Sequence, residues 1–269
     1  MTLPVALTIA GSDSGAGAGI QADLKTFAAL GVYGLTVITA ITAQNTVGVR
    51  AVQEIDLDVI RAQLDAVAED FSIGALKTGM LSSAAIIETI AAGIERHRLG
   101  PLVVDPVMIA KSGDRLLRKD AVDALRRRLL PLAAIVTPNI PEAEVLAGRP
   151  IRTRDDRLAA GRAIVKLGAH AVVIKGGHSD DDPIVDVLVD GDGVREFSAP
   201  RIATTSTHGT GCTFSAAITA GLARGLKLQD AVAEARHYVS RALASAPGLG
   251  HGHGPLNHFP SPQAAHAHH

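Results

Sequence analysis

The constraint that narrows the fold most is a regular alternation of short β-branched runs with longer amphipathic segments. Apolar runs at 5–10, 35–41, 73–77, 102–104, 134–136 and 171–174 read as strands. Between and after them, 20–30, 57–69, 84–96, 121–130, 157–167, 214–224 and 228–243 carry apolar residues at three- and four-residue spacing and read as helices. Such alternation predicts a three-layer α/β/α domain around a mainly parallel sheet. Only the runs 185–189 and 194–197 lack an intervening helix, and Asp190-Gly191-Asp192-Gly193 between them predicts a hairpin. No internal repeat or linker interrupts the pattern, so 1–259 is expected to be one domain. The His-rich stretch 260–269 is expected to be disordered.

Composition removes several function classes. With 47% hydrophobic and 20% charged residues the chain is expected to be ordered and globular. A net charge of −1 gives no electrostatic footprint for nucleic acid, and the basic run Arg126-Arg127-Arg128 reads as a solvated helix face. A single cysteine excludes an internal disulfide and suits a reducing compartment. Residues 1–10 lack the basic start of a signal peptide, and no stretch reaches the length of a membrane span. A soluble, cytoplasmic protein is expected.

The chemistry gathers at Thr207-His208-Gly209-Thr210-Gly211-Cys212-Thr213, a glycine turn opening an amphipathic helix. Such a turn aims several backbone N–H groups at one spot, where the helix dipole also favours negative charge. The only cysteine sits there, either as a reactive group or as a small buried hydrophobe. The earlier run Gly11 to Gly19 also follows a strand and opens a helix. It does not fit the dinucleotide fingerprint, since Ile20 stands where the third glycine belongs, and no Walker A sequence occurs. Ligands of open parallel sheets bind beyond the carboxyl ends of the strands. That rule collects Gly11, Met80, Asp105, Asn139, Glu142 and Lys175 beside the Gly209–Cys212 turn. Two carboxylates and an amide suit a hydrated magnesium ion, and a lysine suits phosphate oxygens. Taken singly, Asp105 and Asn139 read equally well as caps and Lys175 as a solvated strand end.

Eight segments then identify the chain by resemblance: AGSDSGAGAGIQADLKT, TAITAQNTVGV, KTGMLSS, DPVMIAKSGDRLL, TPNIPEAEVLAG, VVIKGGH, THGTGCTFSAA and GHGPLNHF. Together they resemble the hydroxymethylpyrimidine/phosphomethylpyrimidine kinases of thiamine synthesis, within the ribokinase-like superfamily, from about Leu7 to Phe259. The resemblance implies a ribokinase-like kinase domain over 1–259, MgATP as phosphoryl donor, two successive phosphorylations of an aminopyrimidine alcohol, and a homodimer. It places Gly11, Asp23, Gln44, Met80 and Val107 around the pyrimidine, and Asp105 and Glu142 at the metal. Asn139, Glu142, Lys175, Thr207 and His208 fall on the nucleotide side. Lys175, Gly209, Thr210, Gly211 and Cys212 take catalytic roles, with Cys212 where most of the superfamily has an aspartate base. Ser206 departs from the more usual Asn or Asp before this motif. A thiol that titrates at about 8.5 in solution is expected to be lowered by the helix N-terminus. The short polar loop 110–115 is expected to be mobile without nucleotide and to close over the phosphates. Two other readings are a pyridoxal/pyridoxine kinase, which shares this cysteine-type turn, and a non-catalytic nucleotide or pyrimidine sensor.

Overall fold

The computed structural model describes residues 2–108, 119–178 and 182–260, the side chains of Lys119 and His178 excepted. The expected lid over 110–115 and all but the first residue of the expected disordered tail over 260–269 lie outside the described residues.

Among the described residues nine strands form one sheet: β1 (Val5–Asp13), β2 (Tyr33–Gln44), β3 (Val49–Glu54), β4 (Ala75–Thr78), β5 (Leu102–Val104), β6 (Ala133–Val136), β7 (Val172–Ile174), β8 (Ile184–Asp190) and β9 (Gly193–Ala199). Their spatial order is β3-β2-β1-β4-β5-β6-β7-β8-β9. The block from β2 to β7 is parallel. Antiparallel strands finish both sides, β3 on β2 and the β8–β9 hairpin on β7. This is the mainly parallel α/β sheet that the alternation predicts.

Central strands are apolar on both faces because helices cover both. On one side pack α2 (Leu57–Asp70), α3 (Ala84–His97), α4 (Lys119–Ala124), α5 (Ile140–Ala147) and α6 (Arg154–Lys166). On the other lie α1 (Gly19–Ala29), α7 (Thr210–Ala223) and α8 (Leu228–Ala244). The period of two shows within β5, where Leu102 and Val104 join the first core and Val103 joins the second. Fully buried side chains such as Ile87 and Ile90 each contribute about 1.5–3 kcal/mol. At the α7–α8 contact, a Cβ on Gly221 would lie 2.9 Å from that of Ala231, so glycine there permits the close crossing.

Three elements differ from the sequence reading. Strand β3 is largely exposed, so its side chains show no apolar face to mark it. Helix α5 is eight residues long and begins at Ile140-Pro141. Proline is tolerated there because the first-turn N–H groups have no intrahelical partner anyway. The helix expected over 121–130 is regular only to Ala124 and is wound more widely over Leu125–Leu129.

Candidate active site

The parallel strands end at one edge, and a cavity of about 570 Å³ opens there. Gly11, Gln44, Met80 and Val107 form one part of its wall. Asp105, Asn139, Glu142 and Lys175 form a second, and the turn from Thr207 through His208, Gly209, Thr210 and Gly211 to Cys212 forms a third. A far lobe, unassigned from sequence, is lined by apolar Ile184, Pro200, Ile202 and Leu243, with buried Asp186 beside Arg236.

Asp23 corrects the expectation that it contacts the pyrimidine. It is not part of the cavity wall and is wholly buried. Helix α1 turns it toward the sheet, where Lys77 Nζ approaches at 2.8 Å and the Thr8 hydroxyl donates at 2.6 Å. Burial alone would lower the Lys77 pKa, but the carboxylate of Asp23 and the charges of Cys212 and Asp105 carry it above its ordinary value. The pair is a subfloor of the cavity. A buried ion of this kind persists only when its partner is close and its lone pairs are occupied.

Cys212 brings a second correction. The helix N-terminus was expected to lower its pKa, yet burial pushes the thiol up to about 12. Lys77 pulls it down, as does a hydrogen bond from the Gly19 N–H, while the nearby Asp23 and Asp105 carboxylates push it up. Loss of water and two negative neighbours outweigh the helix end in the ligand-free chain.

On the phosphate side, Lys175 Nζ lies 3.3 Å from Asp105 Oδ1, and the Thr137 and Ser215 hydroxyls donate to the same carboxylate at 3.3 Å each. Burial would lower Lys175, but Asp105 and Glu142 carry its pKa above the ordinary value. Glu142 is raised to about 7 by burial, with Lys175 working against the rise and Asp105 adding to it. Asn139 is spent locally. Its side chain accepts the Glu142 N–H at 2.9 Å while Glu142 Oε2 accepts the Asn139 N–H at 2.8 Å, a capping box at the start of α5. The cap reading of Asn139 therefore holds, and its side-chain oxygen already has a donor. A Cβ on Gly211 would sit 3.3 Å from Lys175 Nζ and 3.7 Å from Asp105 Oδ2, so glycine keeps this space open. The buried Thr207 hydroxyl, also on this wall, has no hydrogen-bond partner among the described residues.

Two glycine turns meet at the cavity. In the first, Asp13 folds back on its own loop: Oδ1 accepts from Gly15 at 2.8 Å, and Oδ2 from Gly17 at 3.1 Å and Ala18 at 2.9 Å. In the second, Gly209 (φ +80°) precedes α7, and the Thr210 and Thr213 N–H groups find carbonyls. The Gly211 and Cys212 N–H groups have no acceptor among the described residues. His208 joins the turns through Nε2, 2.8 Å from Asp13 Oδ2. Burial would raise the Asp13 pKa, but the His208 and backbone hydrogen bonds hold it below the ordinary carboxylate value. The sequence reading missed Asp13. A carboxylate two residues ahead of a glycine run, able to fold back on its amides, was the available signal.

An open anion-binding turn, an acidic pair and a lysine lie together at the carboxyl edge of the parallel sheet, as expected of the ribokinase-like kinase domain that the sequence resembles. Comparison with known proteins narrows this. The phosphomethylpyrimidine kinase family model matches residues 13–257. The hydroxymethylpyrimidine/phosphomethylpyrimidine kinase of Bacillus subtilis is 50% identical over 260 residues, covering 96% of each chain. Among solved structures, the phosphomethylpyrimidine kinase of Clostridium difficile is 47% identical with a TM-score of 0.80, covering 89% of this chain and 99% of that one. The Bacillus subtilis pyridoxal kinase, solved with ADP, is 42% identical with a TM-score of 0.90, covering 96% and 98%. The chain belongs to the phosphomethylpyrimidine kinase family, and it is a phosphotransferase.

Proposed function

We propose that the chain transfers the γ-phosphoryl group of ATP to 4-amino-5-hydroxymethyl-2-methylpyrimidine and then phosphorylates the resulting monophosphate to the diphosphate. The observation that carries this is the open Gly211–Cys212 turn beside Lys175, facing a pocket walled by Gly11, Gln44 and Met80. Gln44 offers an acceptor for the 4-amino group and a donor for the adjacent ring nitrogen. The turn and Lys175 neutralise phosphate oxygens, and the apolar far lobe accommodates the nucleotide base.

Asp105 and Glu142 fit a magnesium ion. One or two carboxylates, with phosphate and water completing the shell, are what magnesium uses at phosphoryl-transfer sites. Burial, with the charge of Asp105 adding to it, raises Glu142 to about 7, and a bound cation would lower it. Bound there, the metal would supply charge neutralisation at the transferring phosphate.

In the first step the acceptor oxygen bonds to the γ-phosphorus, the β–γ bridging oxygen leaves with ADP, and Cys212 as thiolate takes the hydroxyl proton. With the thiol at about 12, the first step gains rate as pH rises through the neutral range. The second acceptor is a phosphate already largely dianionic at pH 7 and needs no base.

ADP release with the pyrimidine alcohol, its monophosphate and pyridoxine tests this reading. Turnover of the first two well above the third is expected. A preference for pyridoxine overturns the assignment in favour of a pyridoxine kinase, and no ADP release with any acceptor points to a sensor. A homodimer is also proposed. The exposed Ile41, Val47 and Val52 at the β2–β3 edge offer apolar surface for it, which light scattering checks directly. Cytoplasmic residence fits the single free cysteine and the lack of a helix able to cross a membrane among the described residues.

A further inference from the structure

His208 and Asp13 are 195 positions apart in the chain, and their side chains are almost wholly buried. They join two loops that otherwise meet mostly as backbone. A Cβ on Gly209 would lie 1.8 Å from the Gly17 oxygen, and a Cβ on Gly17 would lie 2.3 Å from the His208 ring. No side chain can be inserted at these points, so apart from the Gly19 N–H on the Cys212 thiol the strut is what ties the loops through side chains. Its two ends are themselves fixed. The Asp13 carboxylate is held by three loop amides, while the His208 N–H donates to the Gly254 oxygen at 3.0 Å. Ser12 and Asp13 lie on the pyrimidine side of the cavity, and Gly209 to Cys212 on the phosphate side.

We propose that the Asp13–His208 hydrogen bond is a positioning strut that sets the distance between the pyrimidine-binding loop and the phosphate-binding turn. This deepens the kinase reading and rests on it. The Nε2–H points to the Asp13 carboxylate, so His208 acts through geometry and not by touching phosphate. Phosphoryl transfer depends on alignment of acceptor and donor, and a displacement of about 1 Å costs about 10²-fold.

Side-chain length provides the test. His208→Gln places an amide N–H about where Nε2 stands, whereas His208→Asn carries the same amide one methylene short. The glutamine variant is expected to keep kcat within about fivefold of wild type. The asparagine variant is expected to lose about 10²-fold in kcat with both acceptors, with less than about threefold change in KM. His208→Leu, which fills similar space but cannot donate to Asp13, is expected to reproduce the loss and decides the matter if His208→Asn does not fold. Equal losses in Gln and Asn variants overturn the strut, as does wild-type kcat in the Asn variant. A readout independent of the acceptor is amide exchange in residues 15–18 on adding AMP-PCP with magnesium. Slowing is expected in wild type and His208→Gln and not in His208→Asn. Slowing in all three overturns the strut. Absence of ADP release from wild type instead counts against the functional reading, while the exchange comparison still judges the strut.

Discussion

The chain enters α1 and α7 through glycine turns of similar design, one after β1 and one after Thr207. In the first turn Asp13 supplies an internal anion, and the Gly15, Gly17 and Ala18 amides are taken. In the second turn the Gly211 and Cys212 N–H groups have no acceptor among the described residues and stay open for a ligand. The difference lies in one residue's placement. A helix N-terminus binds phosphate only when the protein has not already filled it with an anion of its own. On the proposed reading, the first turn is a wall of the pyrimidine pocket and the second a receptor for phosphate.

The sharpest break in that contrast comes from removing the side chain of the open turn while leaving its backbone. Cys212→Ala is expected to slow phosphorylation of the alcohol by about 10²–10⁴-fold relative to phosphorylation of the monophosphate, since only the first acceptor must lose a hydroxyl proton. Single-turnover rates with both acceptors measure this. Equal losses would make Cys212 a support for the turn and not a base.

Next in size is Lys175→Met, which removes the cation beside the open turn and leaves Asp105 and Glu142 without it. Both acceptors should lose about 10²–10³-fold in kcat, the range for deleting one preorganised charge-stabilising group. Steady-state kinetics with each acceptor would show it, and a loss confined to one acceptor would contradict the shared phosphate role.

Gln44→Leu probes the closed turn, because the Gln44 backbone exchanges hydrogen bonds with Ser14 at 2.7 and 2.8 Å. Pyrimidine affinity should fall by roughly 1–3 kcal/mol while nucleotide affinity holds. Calorimetric titrations of each ligand separately make the comparison. Unchanged pyrimidine affinity would remove Gln44 from the reading of the ring.

The smallest effect is on stability. The folded pKa of Glu142, about 7, lies above its ordinary value of 4.5. Stability from its proton is fully present below the unfolded pKa and is lost as pH rises toward 7. Glu142→Gln keeps the capping box, since glutamine serves at that position too, and removes the charge. The ligand-free variant should therefore be more stable than wild type by about 1–2 kcal/mol at pH 8, with little difference at pH 4. Urea melts at both pH values test this, and a variant less stable than wild type at pH 8 would show that the carboxylate is already balanced.

The layered α/β class and the residues crowding the carboxyl edge were legible in the sequence, because apolar periodicity and strand exits are local properties. The positions of Asp105, Glu142 and Lys175 followed from that rule, and so did the glycine turn at Gly209. Strand β3 and helix α5 were missed because one buries too little to show a pattern and the other is eight residues long. What tertiary structure decided is which groups meet. Asp23 went beneath the cavity with Lys77, Cys212 was raised and not lowered, and Asp13 reached both its own loop and His208. Burial and long-range charge depend on neighbours far apart in the chain, so local sequence determines which chemistry is present, and packing determines which of it is free to act.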